Sequence, residues 1–178
     1  MKFSYFFFKA YLGGEDKASH TYLDKITKKN KSMFLEGGFV YVYLSFRGKS
    51  PCFNITTDKE GVGSAVLIRG IEPLEGIDFM KSKSKKKTTN KSNLCSKFIF
   101  ILFLCLDGPA KICWSFDFDM NIDGKSLDKN FIYVYDDGFK VKKIVKSKRI
   151  NIDYAEEWAE KEYRFCLDER KGFLSRPF

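Results

Sequence analysis

A single histidine, and no CxxC spacing among five cysteines, leave too few paired ligands for a Cys/His zinc site. The cysteines (Cys52, Cys95, Cys105, Cys113, Cys166) are odd in number and follow no repeating spacing, which speaks for buried reduced thiols rather than a disulfide framework. No metal and no cofactor is expected. The opening "MKFSYFFF" lacks a small-residue cleavage site and is not read as a signal peptide. The apolar run "KFIFILFLCL", Lys97 to Leu106, falls short of the about 20 residues that a membrane-spanning helix requires. No internal repeat is visible.

Acids are also in deficit: 23 Asp and Glu face 32 Lys and Arg, a net charge of +9 over 178 residues. Such a balance fits either a polyanionic partner or a well-solvated lysine-rich surface. With no stretch long enough to span a bilayer, nucleic acid is the preferred polyanion. A weaker reading treats Lys97 to Leu106 as an interfacial patch of a peripheral membrane protein.

What is present alternates strands with short helices. "GGFVYVYLSF" (Gly37 to Phe46), "CFNITT" (Cys52 to Thr57) and "SAVLIRGIEPL" (Ser64 to Leu74) are β-branched and aromatic runs set off by Gly-containing turns, and read as strands, the last stopped by Pro73. Arg69 interrupts the third run, where an arginine needs either an acid such as Glu72 or a polar pocket. "GIDFMKSK" reads as a short helix, and "KSKSKKKTTNKSN" (Lys81 to Asn93) as a basic loop able to touch phosphates. "GPAKICWSFDFD" enters a helix with Pro109 in the first turn. The backbone N–H groups at that turn, with Lys111 beside them, form a phosphate-binding arrangement. "FIYVYDDGFKVKKIVKSKRINI" (Phe131 to Ile152) reads as a hairpin around Asp-Asp-Gly. Asp153 to Phe165 reads as a short helix capped by Asp153, with Trp158 on its apolar side and Arg164 near its end. The sum is an α+β fold: one domain over residues 1–178, with a curved, largely antiparallel sheet and flanking short helices, and residues 81–107 as an atypical basic loop plus apolar insert.

Taken in order, "AYLGGEDKASH", "TKKNKSMF", "GGFVYVYL", "CFNITT", "GSAVLIRGIEPLEG", "GPAKIC" and "EEWAEKEYRF…LSRP" resemble the alkyladenine (3-methyladenine) DNA glycosylase family from Ala10 to Pro177. The resemblance implies a base-excision repair enzyme, monomeric and nuclear, that flips a damaged purine out of double-stranded DNA and hydrolyses its N-glycosidic bond. It places Tyr11, Tyr43 and His20 around the flipped base, where π surfaces are needed. Asn54 is implied at the pocket floor as a filter against guanine, and Arg69 as holder of the attacking water. Phe46 is the implied wedge that fills the gap left in the duplex, and Gly108 with Lys111 the implied phosphate grip.

The family carries a glutamate general base immediately before "AY"; here Lys9 stands at that position. Glu15 and Asp16 are downstream acids that the family places elsewhere, and are poor substitutes for that glutamate. A lysine accepts a proton near neutral pH only if its pKa is strongly depressed. Three further departures concern the family's upstream elements, the stretch "SFRGKSPCFN", where the family has an aromatic, a glycine-methionine turn and one residue fewer, and the apolar block before Gly108. Phe-rich runs are what T-rich DNA encodes, so "MKFSYFFF" and "KFIFILFLC" are expected to be translated intron sequence or gene-model errors of an AT-rich eukaryotic gene. Two outcomes compete: an active DNA glycosylase, or a lesion-binding paralogue inactivated by Lys9.

Overall fold

The computed structural model describes residues 2–45, 48–83, 106, 108–128, 130, 132–136, 138 and 140–168, the side chains of residues 2–6 and 81 excepted. Six strands make one sheet: β1 (Lys2–Tyr11), β2 (Val40–Ser45), β3 (Ser50–Thr56), β4 (Ala65–Glu75), β5 (Ile144–Ser147) and β6 (Arg164–Leu167). Their spatial order is β2-β3-β4-β1-β6-β5, and every neighbouring pair is antiparallel. The opening segment expected to be foreign to the fold therefore supplies a central strand, flanked on both sides. Register shifts at Lys2/Phe3, Tyr5/Phe7 and Phe7/Phe8 bend β1 where it passes along β4.

Strand alternation divides the sheet into two chemically different faces. Val40, Val42, Phe53 and Ile68 point to one side, where they join Met80, Ile112, Cys113 and Phe116 in the main core. Met80 comes from α1 (Ile77–Lys83), and the last three from α2 (Pro109–Phe116). The α2 helix starts as the sequence predicts, with Gly108 extended at the N-cap and Pro109 in the first turn. It ends at Asp117, whose left-handed backbone lets its N–H reach the carbonyls of Cys113 and Trp114. Of the apolar run Lys97 to Leu106, only Leu106 lies among the described residues; it is buried in this core and its carbonyl accepts from the Ile71 N–H at 3.2 Å. Cys52, Cys113 and Cys166 are buried thiols outside any disulfide, as expected. Among the described residues no helix is long and apolar enough to cross a membrane.

Three expectations about local structure are corrected. Pro73 does not stop β4, which continues to Glu75. By that point β3 has left its side, since β3 pairs only with Ala65 to Leu67, so a residue without an N–H costs no ladder bond there. Among the described residues of Phe131 to Ile152 the expected hairpin is not seen: Tyr133, Val134 and Tyr135 are exposed and outside any strand, and of these described residues only Ile144–Ser147 pairs, with β6. The helix expected over Asp153 to Phe165 is a 3-10 segment, Asp153–Ala159, broken at Glu156 (φ 51°) and preceded by Ile152 rather than capped by Asp153. Arg164 leaves that segment altogether. The open edge of β1 needs a partner, and Arg164, Phe165 and Cys166 provide it against Lys9, Phe8 and Phe7.

Candidate active site

Cross-strand register assembles the second face. Tyr41 pairs with Asn54, Asn54 with Leu67, Leu67 with Lys9, Lys9 with Arg164 and Arg164 with Ser147. Residues paired in this way project to the same side, so one row crosses all the strands of the sheet. Two residues along each strand, the same face carries Tyr43, Cys52, Arg69 and Tyr11. A cleft of about 560 Å³ opens over this face. It is closed at its sides by the N-terminal turn of α2, by the Ile150–Ile152 segment and by the loop bearing His20.

Eight of the nine residues singled out from sequence meet in this cleft: Lys9, Tyr11, His20, Tyr43, Asn54 and Arg69 from the sheet face and its adjoining loop, and Gly108 with Lys111 from α2. The ninth, Phe46, lies outside the described residues. Tyr41, Arg164, Trp114 and Tyr154 also line the cleft and were not singled out for it from sequence. Tyr41 had a signal, since it alternates with Tyr43 in "YVY". Arg164 had none, because its place depends on pairing with a strand 155 residues earlier, at Lys9.

The aromatic side of the cleft is ordered by His20. Its Nδ1 lies 2.7 Å from the Tyr41 hydroxyl, and its ring meets that of Tyr43 edge-on at 4.5 Å between centroids. His20 itself is open to the cleft, yet the protein around it displaces enough water to lower its pKa below the ordinary value, so the ring is neutral at neutral pH. Burial likewise raises the pKa of Tyr43 and Tyr41, and takes Tyr11 to about 12. All three phenols stay protonated. The His20 loop is fixed from below: the Asn30 amide donates to the His20 carbonyl at 2.8 Å, and the Thr21 hydroxyl to the Gly63 carbonyl at 2.7 Å. Asn54 commits both amide hydrogens to the carbonyls of Tyr41 and Cys52, each at 3.0 Å, which leaves its Oδ1 as the group it offers a ligand.

The opposite side is cationic. Lys9 is only 5 % exposed and donates from Nζ to the Ile150 carbonyl at 3.3 Å. Its pKa falls to about 7, first because burial removes water from the ammonium, then because Arg69, Arg164 and Arg149 repel a further positive charge. Arg69 and Arg164 both hold their guanidinium groups near the ring of the fully buried Phe7, at 5.8 and 4.9 Å from its centroid. Among the described residues lining the cleft there is no aspartate or glutamate. Asp16 is fully buried and is engaged by Arg149, and Glu15 is exposed. No group of His, Cys, Asp and Glu among the described residues could hold a metal ion.

The sequence profile described as "Methylpurine-DNA glycosylase (MPG)" matches residues 8–171. A protein of Alkaliphilus oremlandii named "Putative 3-methyladenine DNA glycosylase" is 40 % identical over 168 residues, covering 94 % of this chain and 80 % of the relative. Proteins of the same name from Clostridium perfringens (strain 13 / Type A) and Clostridium novyi are each 38 % identical, over 172 and 164 residues. The first alignment covers 94 % of this chain and 80 % of the relative, the second 92 % and 78 %. These relatives are bacterial and lend the nuclear expectation no support. The chain belongs to the methylpurine-DNA glycosylase family, the DNA N-glycosylases of base-excision repair.

Proposed function

We propose that the cleft receives a damaged purine nucleotide turned out of double-stranded DNA, and that this chain releases the base as a single-domain monomer. The observation that carries this reading is convergence: side chains from β1, β2, β3 and β4, the His20 loop and α2 reach one cleft sized for a purine nucleotide. In this reading Tyr11, Tyr43 and His20 present π surfaces to the base. A cationic alkylated purine gains cation–π attraction from the same rings. The Asn54 Oδ1 reads the edge of the base. Lys111 and the N–H groups following Gly108 grip a backbone phosphate, because the start of a helix offers unpaired donors. Arg69 positions water near the sugar, and Lys9 stands where the bond to the base is broken.

The test is a single-turnover assay on duplexes carrying hypoxanthine or ethenoadenine, with free base followed by chromatography. Release from the lesion duplex and none from undamaged DNA is the expected result. Retained lesion binding without any release would instead identify a lesion-binding protein.

A further inference from the structure

We propose that the Lys9 amine is itself the nucleophile of excision, attacking C1′ of the flipped nucleotide and joining protein to DNA through an imine. The proposal rests on the reading of the cleft given above and names the group that acts in it.

The geometry favours an amine over activated water. A water nucleophile needs a base to take its proton, and the described cleft lining contains no carboxylate. The acid of this neighbourhood, Asp16, is already committed. Its Oδ2 accepts from the Leu12 N–H and Arg149 Nη1, and its Oδ1 from the Ala18 N–H and Arg149 Nη2. Lys9, by contrast, lies in the row that crosses the floor of the cleft, its Nζ held by one carbonyl, that of Ile150. A neutral amine keeps that bond with one hydrogen and still has its lone pair free.

The groups facing Lys9 favour the neutral form. Arg69 approaches from β4, Arg164 from β6 and Arg149 from the segment before Ile150, while Lys111 lines the same cleft from α2. Tyr11, Tyr41, Tyr43, Cys52 and His20 line the cleft too, each held uncharged at neutral pH by burial, and Tyr154 stands at its side. A pKa of about 7 makes a large share of the molecules free amine there, the condition for a nucleophilic lysine.

The step balances without oxidant or reductant. The Nζ–C1′ bond forms as the N-glycosidic bond breaks, and the bonding electron pair leaves with the purine. A cationic alkylpurine departs neutral; a deaminated purine, neutral in DNA, takes a proton from solvent as it leaves. One of the two protons then on Nζ passes to the ring oxygen, the C1′–O4′ bond opens, and a protonated imine remains. Water hydrolyses the imine and returns the amine.

The experiment adds sodium cyanoborohydride to the single-turnover reaction, follows protein–DNA adduct and free base together, and maps the adduct by mass spectrometry. The inference expects adduct on the Lys9 peptide, accumulating in step with base release, and its loss in Lys9→Gln. Base release without adduct, adduct that lags behind release, or adduct on another lysine overturns it and leaves the proposed function standing. No base release from the unaltered protein overturns both. Should Lys9→Gln fail to fold, the mapped peptide and the time course of the unaltered protein decide alone.

Discussion

Asp16 and Arg149, 133 residues apart in the chain, form a two-pronged ion pair with neither side chain exposed: Nη1 to Oδ2 at 2.5 Å and Nη2 to Oδ1 at 2.8 Å. The same guanidinium donates to the carbonyls of Ala10 and Trp158 and lies 5.1 Å from the centroid of the Tyr11 ring. The pair thus ties the loop after β1 to the segment before β6, and sets the wall behind Tyr11. It is a structural clamp and not a substitute for a catalytic acid.

Breaking the clamp on one side leaves a buried charge without its partner. Asp16→Asn is expected to lose on the order of 3–5 kcal/mol of stability by urea unfolding. Replacing both residues (Asp16→Asn with Arg149→Met) should lose less than the sum of the single losses, because no orphaned charge remains. Additive losses would show that the two residues do not act as a pair.

Lys9 gives stability a specific pH dependence. Its folded pKa of about 7 lies below the ordinary 10.5, so between those values the unfolded chain carries a proton that the folded chain does not. Stability from this residue therefore rises with pH across that window, and is fully penalised below pH 7. Lys9→Met is expected to stabilise the protein at pH 6 by on the order of 2 kcal/mol, and by less at pH 9. Thermal melts at the two pH values check this, and an equal gain at both would refute the depressed pKa.

Selectivity and bulk affinity should separate. Arg69→Ala and His20→Ala remove groups from the cleft, so each is expected to reduce preference for lesion duplex over undamaged duplex by about tenfold or more. Affinity for undamaged DNA should change little in these variants and should fall with salt through the surface lysines. Titrations at two salt concentrations separate the effects; equal losses on both duplexes would remove Arg69 and His20 from the lesion pocket.

Gly63 is held to a hydrogen by packing. A Cβ there would sit 2.4 Å from Cγ2 of Thr21, a buried side chain whose hydroxyl is bonded to the Gly63 carbonyl. Gly63→Ala is expected to cost about 1–3 kcal/mol and to weaken lesion binding through the displaced His20 loop. Unchanged unfolding and unchanged binding would show that the loop adjusts freely.

Elements with local signatures are legible in the chain itself. "VYVYL", "CFNIT" and "AVLIR" alternate in a way that only a half-polar strand satisfies, and Gly-Pro before "AKIC" starts a helix wherever it is placed. Those stretches carry Tyr43, Asn54, Arg69 and Lys111, and the motif "AYLGGEDKASH" carries Tyr11 and His20, so most of the cleft lies within short, recognisable runs. Arg164 and the Asp16–Arg149 clamp do not. Their positions depend on strand pairing and burial across more than 130 residues, which no local pattern encodes. The aromatic run ahead of Lys9 is opaque for a related reason: whether "FFF" belongs to a fold depends on what lies on either side of it, and here β4 and β6 do.

By itself, then, the sequence determined the family, its DNA substrate and the presence of a lysine just before "AY", because side-chain chemistry and short-range alternation are written in the chain. Only the tertiary structure decided what Lys9 can do. Burial, three neighbouring arginines and a described cleft lining without a carboxylate set its protonation, and each of these comes from a different part of the chain.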